Sequence, residues 1–469
     1  MRIRECFWAM PLLLLLAGCA AVGPDYSAPT VAEPVAPLPP AADGAELSHE
    51  ETAAWWATFS DPVLTQLIGQ TLSSNRTLRV ATAKVREARA RLGISRAGLL
   101  PEVDAAGAYN RFRNSDNAGA PGDGDHYRAG FDASWELDIF GRRRRAVEAA
   151  QAAFESEAAT LENVWVSLAA ETANAYVGLQ TARRVLEVAQ TNLVLQTETL
   201  ELLVSRVAAG LSDELAVEQA RYNKEQTRAA IPRLQAEAET FLNALAILTG
   251  TMPGELHTAI EAAVSIPTAP LRRLAGIPAD LLRRRPDIRA AERALAAQTA
   301  RIGEATADLY PTFMLNGSIG LESLEASDFF KGESRFFTFG PAVAWPIFRA
   351  GSIRANIEVQ NARQEQALAA YELAVLGAVR ELRDALSDYA REHERQEALA
   401  KAADAARSAV AIAQDQYKNG LADFNNVLDA QRSQMNFEEA VTRSEGIVSA
   451  NLIRVYKALG GGWGAGDRE

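Results

Sequence analysis

Tyr127-Arg128-Ala129-Gly130-Phe131-Asp132-Ala133-Ser134-Trp135-Glu136-Leu137-Asp138-Ile139 places an apolar or aromatic residue at every odd position and a polar or small one at every even position. A period of two is the mark of a strand with one face in an apolar medium. Three residues further on the pattern changes. Residues 142–209 contain no proline and one glycine, and Ala, Leu, Glu, Gln and Arg dominate them. These are strong helix formers. At 1.5 Å per residue the run makes a helix of roughly 100 Å, several times the ordinary globular length.

The same order returns at an offset of 210. Arg79 matches Arg289, Ala81 matches Ala291, Arg91 matches Arg301, Gly93 matches Gly303 and Pro101 matches Pro311. Further on, Gly130 matches Gly340, Trp135 matches Trp345, Gly141 matches Gly351, Arg144 matches Arg354 and Glu148 matches Glu358. No insertion interrupts the register before Gly210-Leu211-x-Asp213-x-x-x-Val217, which recurs as Gly420-Leu421-x-Asp423-x-x-x-Val427. Chance identity between Ala-rich helices does not supply a shared Trp and a shared turn motif at one spacing, so the chain reads as an internal duplication. Residues 352–419 repeat the helical composition, again with no proline and one glycine. Gly210 and Gly420 each separate two runs of helix formers and read as left-handed C-cap residues at helix-to-helix turns. Pro232 in the first return helix has Thr442 as its counterpart, which predicts a kink in one copy only.

The second copy also alternates. Phe337, Phe339, Val343, Trp345 and Ile347 hold odd positions against Thr338, Gly340, Ala342 and Ala344. The accompanying strands, Glu102 to Arg111 and Thr312 to Leu321, put Val103, Ala105, Tyr109 and Phe313, Leu315, Ile319 on odd positions. Strands of ~10 residues carrying aromatics have the dimensions of tilted membrane strands. Four strands cannot close a barrel, and an open sheet edge in lipid leaves backbone groups unpaired, so several protomers must pool their strands. Three protomers would give about twelve strands and two about eight, the latter with an interior filled by side chains. A periplasmic sandwich with one apolar core face is the alternative.

Composition narrows the function. Lys and Arg number 48 and Asp and Glu 60, a formal charge of −12, which disfavours a phosphate backbone as partner. The two cysteines, Cys6 and Cys19, both precede the body of the chain, which therefore has no disulfide framework or thiolate cluster, and four scattered histidines suggest no metal centre. Gly-x-Ser-x-Gly, phosphate-loop and His-Glu-x-x-His patterns are absent, and His393-Glu394 lacks a second histidine. The chain reads as a non-enzyme without cofactor or metal. Asp123-Gly124-Asp125 is expected to be a solvated turn between strands rather than a calcium site. Arg142 to Arg145 open the first long helix, where the dipole disfavours positive charge. They call for an anion from lipid headgroups or an adjacent protomer, or else form a solvated run.

At the start, Arg2 and Arg4 precede an apolar stretch from Phe7 to Ala17 that is too short to span a bilayer and reads as a secretory signal. It ends Leu16-Ala17-Gly18-Cys19, which resembles a bacterial lipobox, with Cys19 lipidated and Cys6 lost with the signal. Ala20 follows where an aspartate would signal inner-membrane retention, implying the outer membrane. Residues 27–45, rich in Pro and Ala, read as an extended tether.

Six ordered motifs complete the pattern: Gly23-Pro24-Asp25-Tyr26; Trp55-Trp56-x-x-Phe59-x-Asp61-Pro62; Trp135 to Gly141; Arg284-Arg285-Pro286-Asp287-Ile288; Val427-Leu428-Asp429-Ala430-Gln431; and Lys457-Ala458-Leu459-Gly460-Gly461-Gly462-Trp463. With them the chain resembles the outer-membrane factor family, the TolC-like and OprM-like channels of tripartite efflux and secretion systems, in its NodT-type lipoprotein branch. The resemblance implies an α+β membrane protein: a trimeric twelve-stranded β-barrel, four strands per protomer, continued by a long α-helical periplasmic barrel. It implies a passive export duct, with a periplasmic membrane-fusion adaptor and an inner-membrane pump of the resistance-nodulation-division type as partners. The organisation expected is signal 1–18, lipidated tether and equatorial segment 19–60, first repeat 61–270, second repeat 271–459 and Gly-rich tail 460–469.

The resemblance also places Tyr417, Gly420 and Asp429 at the periplasmic entrance, with a ring of Asp429 carboxylates narrowing the tunnel. Asn426 stands where relatives often carry an acid, so Asn425 and Asn426 would line an uncharged constriction. The first copy has Ala216 and Gln219 at the matching positions, which removes a helix-tethering polar partner at 216. Arg206, Val207, Gly210, Leu211 and Ser212, with Gly420 and Leu421, resemble the grooves that accept an adaptor hairpin. A non-conducting periplasmic scaffold built on the same long hairpins is the competing function, and cargo is not readable.

Overall fold

The computed structural model describes residues 21–29, 53–115, 117, 122–256, 260, 265–270 and 284–462. The signal, Cys19, most of the expected tether and Trp463 onward lie outside them. A short 3-10 turn, Trp55–Phe59, precedes α1 (Pro62–Ser74), α2 (Arg76–Ala97), β1 (Glu102–Arg113), β2 (Asp123–Leu137), α3 (Arg142–Ala208) and α4 (Glu214–Thr249). Then come α5 (Pro286–Ala307), β3 (Thr312–Ser323), β4 (Arg335–Ala344), α6 (Ser352–Lys418) and α7 (Phe424–Ala458). The two long helices have 67 residues each. No helix among the described residues is long and apolar enough to cross a membrane.

The chain divides into two compact units, and each takes segments from both copies. The first holds residues 83–159 and 289–373 with the N-terminal stretch, and contains the whole sheet. That sheet is antiparallel in the order β1-β2-β3-β4. Glu102 faces Ser134 in the first ladder and Thr312 faces Ala344 in the third, the same pair moved by the offset. Trp135 Nε1 donates to the Leu99 carbonyl at 3.0 Å, and Trp345 Nε1 donates to the Leu309 carbonyl at 3.0 Å.

Three expectations change here. Asp123-Gly124-Asp125 is not a turn but the start of β2, paired with Arg113, Phe112 and Arg111. The Tyr109 hydroxyl donates to Asp125 at 2.9 Å. The last strand stops at Ala344 rather than Ile347, because Pro346, standing where the first copy has Glu136, has no N–H for a ladder.

The third change concerns the arginine run, which finds anions in its own chain rather than standing as a solvated run. Glu136 accepts from Arg142 at 2.5 Å and from Arg143 Nε at 2.7 Å. Asp138 accepts the backbone N–H groups of Arg143 and Arg144, each at 2.9 Å, capping the α3 N-terminus that four cations would otherwise oppose. Buried Arg145 bonds Glu148 and Asp25, both at 2.7 Å. Asp25 belongs to the Gly23-Pro24-Asp25-Tyr26 motif, and the Tyr26 hydroxyl donates to Glu292 at 3.0 Å beneath the Arg293 guanidinium, so the N-terminal segment is fastened across α3 and α5.

The second unit holds residues 160–288 and 374–469 with α1. Its core gathers Trp55, Leu64, Leu179, Leu382 and Tyr456, with the Trp55 and Tyr456 rings stacked at 5.5 Å. Gly178 lies under the Phe241 ring and Gly446 against Thr181, two places where a Cβ would collide and only glycine lets the helices approach. Asp61 caps α1 through Val63 and Leu64 N–H and accepts the Tyr176 hydroxyl at 3.1 Å. Buried Arg285 joins three elements: it donates to Ala458 O at 2.6 Å, to Glu381 at 2.8 Å and to both oxygens of Asp287. Helix α4 runs through Pro232 without a break, although the ring supplies no N–H for the Arg228 carbonyl.

Candidate functional site

The candidate site is the end of the second unit where α3 turns into α4 and α6 into α7. Gly210 and Gly420 adopt φ of 73° and 71°, as a left-handed C-cap requires. Leu211 N–H returns to Arg206 O and Leu421 N–H to Gln416 O, both at 2.8 Å, so both turns use the same six-residue closure of the last helical turn. Asp213 then caps α4 by accepting the Ala216 N–H at 2.9 Å. Asp423 precedes α7 without a side-chain cap, and the Asn426 N–H bonds its carbonyl instead.

Beneath the turns Leu203, Ala216, Val217, Phe424, Val427 and Leu428 form a small apolar core of their own, with Val207 and Tyr417 against it. Ala216 is thus a packing residue, as its missing polar group requires. Leu211 and Leu421 point the other way and are exposed.

The predicted residues fall into two groups. Tyr417 meets the docking set: its hydroxyl lies 3.1 Å from Ser212 Oγ, and the Arg206 guanidinium sits 4.8 Å from its ring centroid. Phe424 meets the same ring edge-on at 5.2 Å, and Arg206 Nε is buried without a hydrogen-bond partner among the described residues. Asn425, Asn426 and Asp429 lie exposed on the first turns of α7. Neither asparagine side chain is hydrogen-bonded among the described residues, whereas Asp429 accepts from Arg432 at 3.4 Å.

Arg432 is the residue the motifs did not single out. Its second terminal nitrogen reaches across to α4, donating to the Tyr222 hydroxyl at 3.0 Å and to Asn223 Oδ1 at 3.4 Å. Tyr222 and Arg432 are the same position of the two copies. The arrangement links Asp429 and the two return helices through one guanidinium. Behind it a cavity of about 270 Å³, lined by Gln196, Thr199, Gln414, Tyr417, Gln431 and Gln434 among others, opens between α3, α6 and α7. Among the described residues no group of carboxylates, histidines or thiols is placed to hold a metal.

The long paired helices end in glycine turns, and the four-stranded sheet has strands of membrane length. The outer membrane efflux protein family matches residues 67–251 and 277–461, two spans separated by the 210-residue offset, and the chain belongs to that family. It is 33% identical over 480 residues to the outer membrane protein OprJ of Pseudomonas aeruginosa, covering 99% of this chain and 97% of that protein. It is 31% identical over 473 residues to the solvent efflux pump outer membrane protein SrpC of Pseudomonas putida, covering 97% and 98%. Among solved structures, the outer-membrane channel OprN aligns with a TM-score of 0.88 and 37% identity over 94% of this chain and 99% of its own. The chain is an outer-membrane efflux channel, the outer-membrane component of an efflux pump system.

Proposed function

We propose that the working unit is a homotrimer forming a twelve-stranded barrel and a helical periplasmic tunnel, a passive duct from an inner-membrane pump through a periplasmic adaptor to the exterior. The observation that carries this reading is the sheet. Its outer strands β1 and β4 are each paired on one side only, and β4 exposes Phe337, Phe339 and Val343 on the odd face. In lipid that edge must be covered, and closure with further copies covers it without any new element. Residues 61–270 and 271–459 are the two copies, and 460–469 is a tail.

The tip serves two roles. Gly210, Leu211, Ser212, Gly420 and Leu421, backed by Arg206, Val207 and Tyr417, receive the adaptor's helical hairpin. Asp429, with Asn425 and Asn426 beside it, lines the periplasmic entrance, and the Arg432 bridge to Tyr222 and Asn223 holds that entrance closed. Cys19 carries the lipid that anchors the mature N-terminus.

Planar-bilayer recording of the purified protein tests the duct. Trimers whose conductance rises when Arg432→Ala releases the bridge are expected; trimers that never conduct in either form would indicate a scaffold. Labelling with radioactive palmitate is expected to vanish in Cys19→Ser and to persist in Cys6→Ser.

A further inference from the structure

Each copy turns from its last strand into its long helix, and the two turns are built differently. In the first copy the chain supplies its own anions. Glu136 accepts from Arg142 and Arg143, and Asp138 accepts the Arg144 side chain at 3.2 Å together with two backbone N–H groups at the start of α3. The N-terminal segment lies over the same turn: Val22 N–H donates to Phe140 O at 3.0 Å, and Ala21 sits so close to Gly141 that a Cβ there would collide. Ala21 is two residues after Cys19, the residue proposed above to carry lipid.

At the second turn both devices are missing. The offset puts Pro346 in the place of Glu136 and Phe348 in the place of Asp138, while Arg354 repeats Arg144 and Arg349 adds a cation where the first copy has Ile139. Neither Arg349 nor Arg354 has a hydrogen bond or ion pair among the described residues, and Glu358, the first acid along α6, pairs with neither. Among the described residues nothing lies within 4 Å of the place a Gly351 Cβ would take. Leu309, Trp345, Ile347, Phe348, Arg349 and Arg354 line a cavity of about 390 Å³ beside this turn. Ile347 and Phe348 are 87% and 86% exposed, and the Trp345 indole is held by its bond to Leu309 O.

These side chains ask for a ligand that is apolar at one end and anionic at the other. Trp345 and Ile347 continue the odd, apolar face of β4, and aromatic residues at the ends of membrane strands mark the headgroup level. A soluble anion would serve the arginines but leave Ile347 and Phe348 in water. An uncharged lipid would cover the apolar wall but leave both arginines without an anion. We propose that the turn between β4 and α6 binds an anionic phospholipid, with Arg349 and Arg354 on its phosphate and Ile347 and Phe348 against its acyl chain. The second copy thereby takes from the membrane the anion and the cover that the first copy takes from Glu136, Asp138 and the N-terminal segment. The proposal rests on the outer-membrane placement of the chain and does not depend on its oligomeric state.

The test is native mass spectrometry of the full-length protein, extracted from outer membranes in neutral detergent and titrated with phosphatidylglycerol or with phosphatidylcholine, whose headgroup has no net charge. The parent should retain phosphatidylglycerol in preference to phosphatidylcholine. A basic side chain beside an anionic lipid is worth about five-fold in affinity, so Arg349→Gln with Arg354→Gln should weaken phosphatidylglycerol binding at least about ten-fold. Phe348→Asp restores the residue of the first copy, gives Arg354 an internal partner and should weaken the lipid as well. Arg391→Gln with Lys401→Gln removes the same charge from exposed positions further along α6 and should bind as the parent does. An equal loss in that control would show diffuse attraction and overturn the site, as would equal affinity for the two lipids or parent affinity in Phe348→Asp. If inorganic phosphate raises the melting temperature of the parent as phosphatidylglycerol does, the ligand is a free anion and the lipid is overturned. Parent protein that comes from outer membranes but retains no phosphatidylglycerol overturns the site alone, whereas a chain absent from outer membranes would refute the placement and the site with it.

Discussion

Asp429 and Arg432 occupy successive turns of one face of α7, and the arginine has three partners while the aspartate has one. The two should therefore separate in experiment. If Asp429 lines the entrance as proposed, removing the carboxylate in Asp429→Ala should weaken both cation preference and block by divalent ions. Arg432→Ala also unties α7 from α4, so its basal conductance should exceed that of Asp429→Ala in the same bilayer recording. Glu445, further along α7, has a different problem. Burial raises its pKa above the ordinary carboxyl value, with Arg184 only partly opposing the effect. A carboxyl raised on folding contributes stability that is complete below its unfolded pKa and is lost as pH climbs through the folded one. Glu445→Gln should therefore raise the melting temperature near about pH 8, and the gain should disappear near about pH 4, where the parent side chain is itself protonated.

At the scale of elements, the ends of the helices matter more than their middles. Gly210 and Gly420 sit at positive φ with open space around the missing Cβ, so a substitution there meets backbone strain rather than a clash. A β-branched residue in that conformation costs about 1–2 kcal/mol. Gly420→Val should abolish export of a dye by the assembled pump while trimers still reach the outer membrane; full export with both turns substituted would remove the docking role. The Arg285 junction tests the opposite end of α7. Arg285→Ala strands two half-exposed carboxylates and the Ala458 carbonyl, and should cost about 2 kcal/mol in thermal unfolding. Arg285→Lys should recover little of it, because a single ammonium cannot fork to Asp287 and Glu381. The arginine motif before α5 was legible in the sequence as a motif, but not as a clasp. Its partners at 381 and 458 are about a hundred and more residues away, and only the fold brings them near. The Arg142–Arg145 run was misread for a related reason. Its neutralising acids, Glu136 and Asp138, were in plain view, but as alternating strand positions rather than as ligands of a helix that starts by turning back on them.

For the molecule as a whole, the two faces of the sheet should respond in opposite ways. Phe339 stands on the odd face and Thr338 on the even one in the middle of β4, and both are exposed in the single chain. An arginine on the lipid face costs about 2–4 kcal/mol at mid-membrane, whereas one facing a water-filled lumen is tolerated. Phe339→Arg should therefore reduce the trimer recovered from outer membranes, and Thr338→Arg should leave it near the parent level. Equal recovery of the two would mean that the alternation does not sort lipid from lumen.

The local and periodic features were within reach of the sequence alone: the strand period, the long helices, the glycine turns and the offset of 210 all depend on residues close in the chain or on a comparison of the chain with itself. The sequence did not reveal that Asp123 to Asp125 continue a strand, since a short Asp-Gly-Asp stretch has turn composition and only the facing β1 backbone recruits it into a ladder. Nor did it reveal the Arg432 bridge, the Arg145 fastening of the N-terminal segment or the Tyr417 contacts with Arg206 and Ser212. Each of these is a bond of a few ångströms between residues far apart in the chain, and such a bond depends on the packing of whole helices rather than on the preference of any one segment.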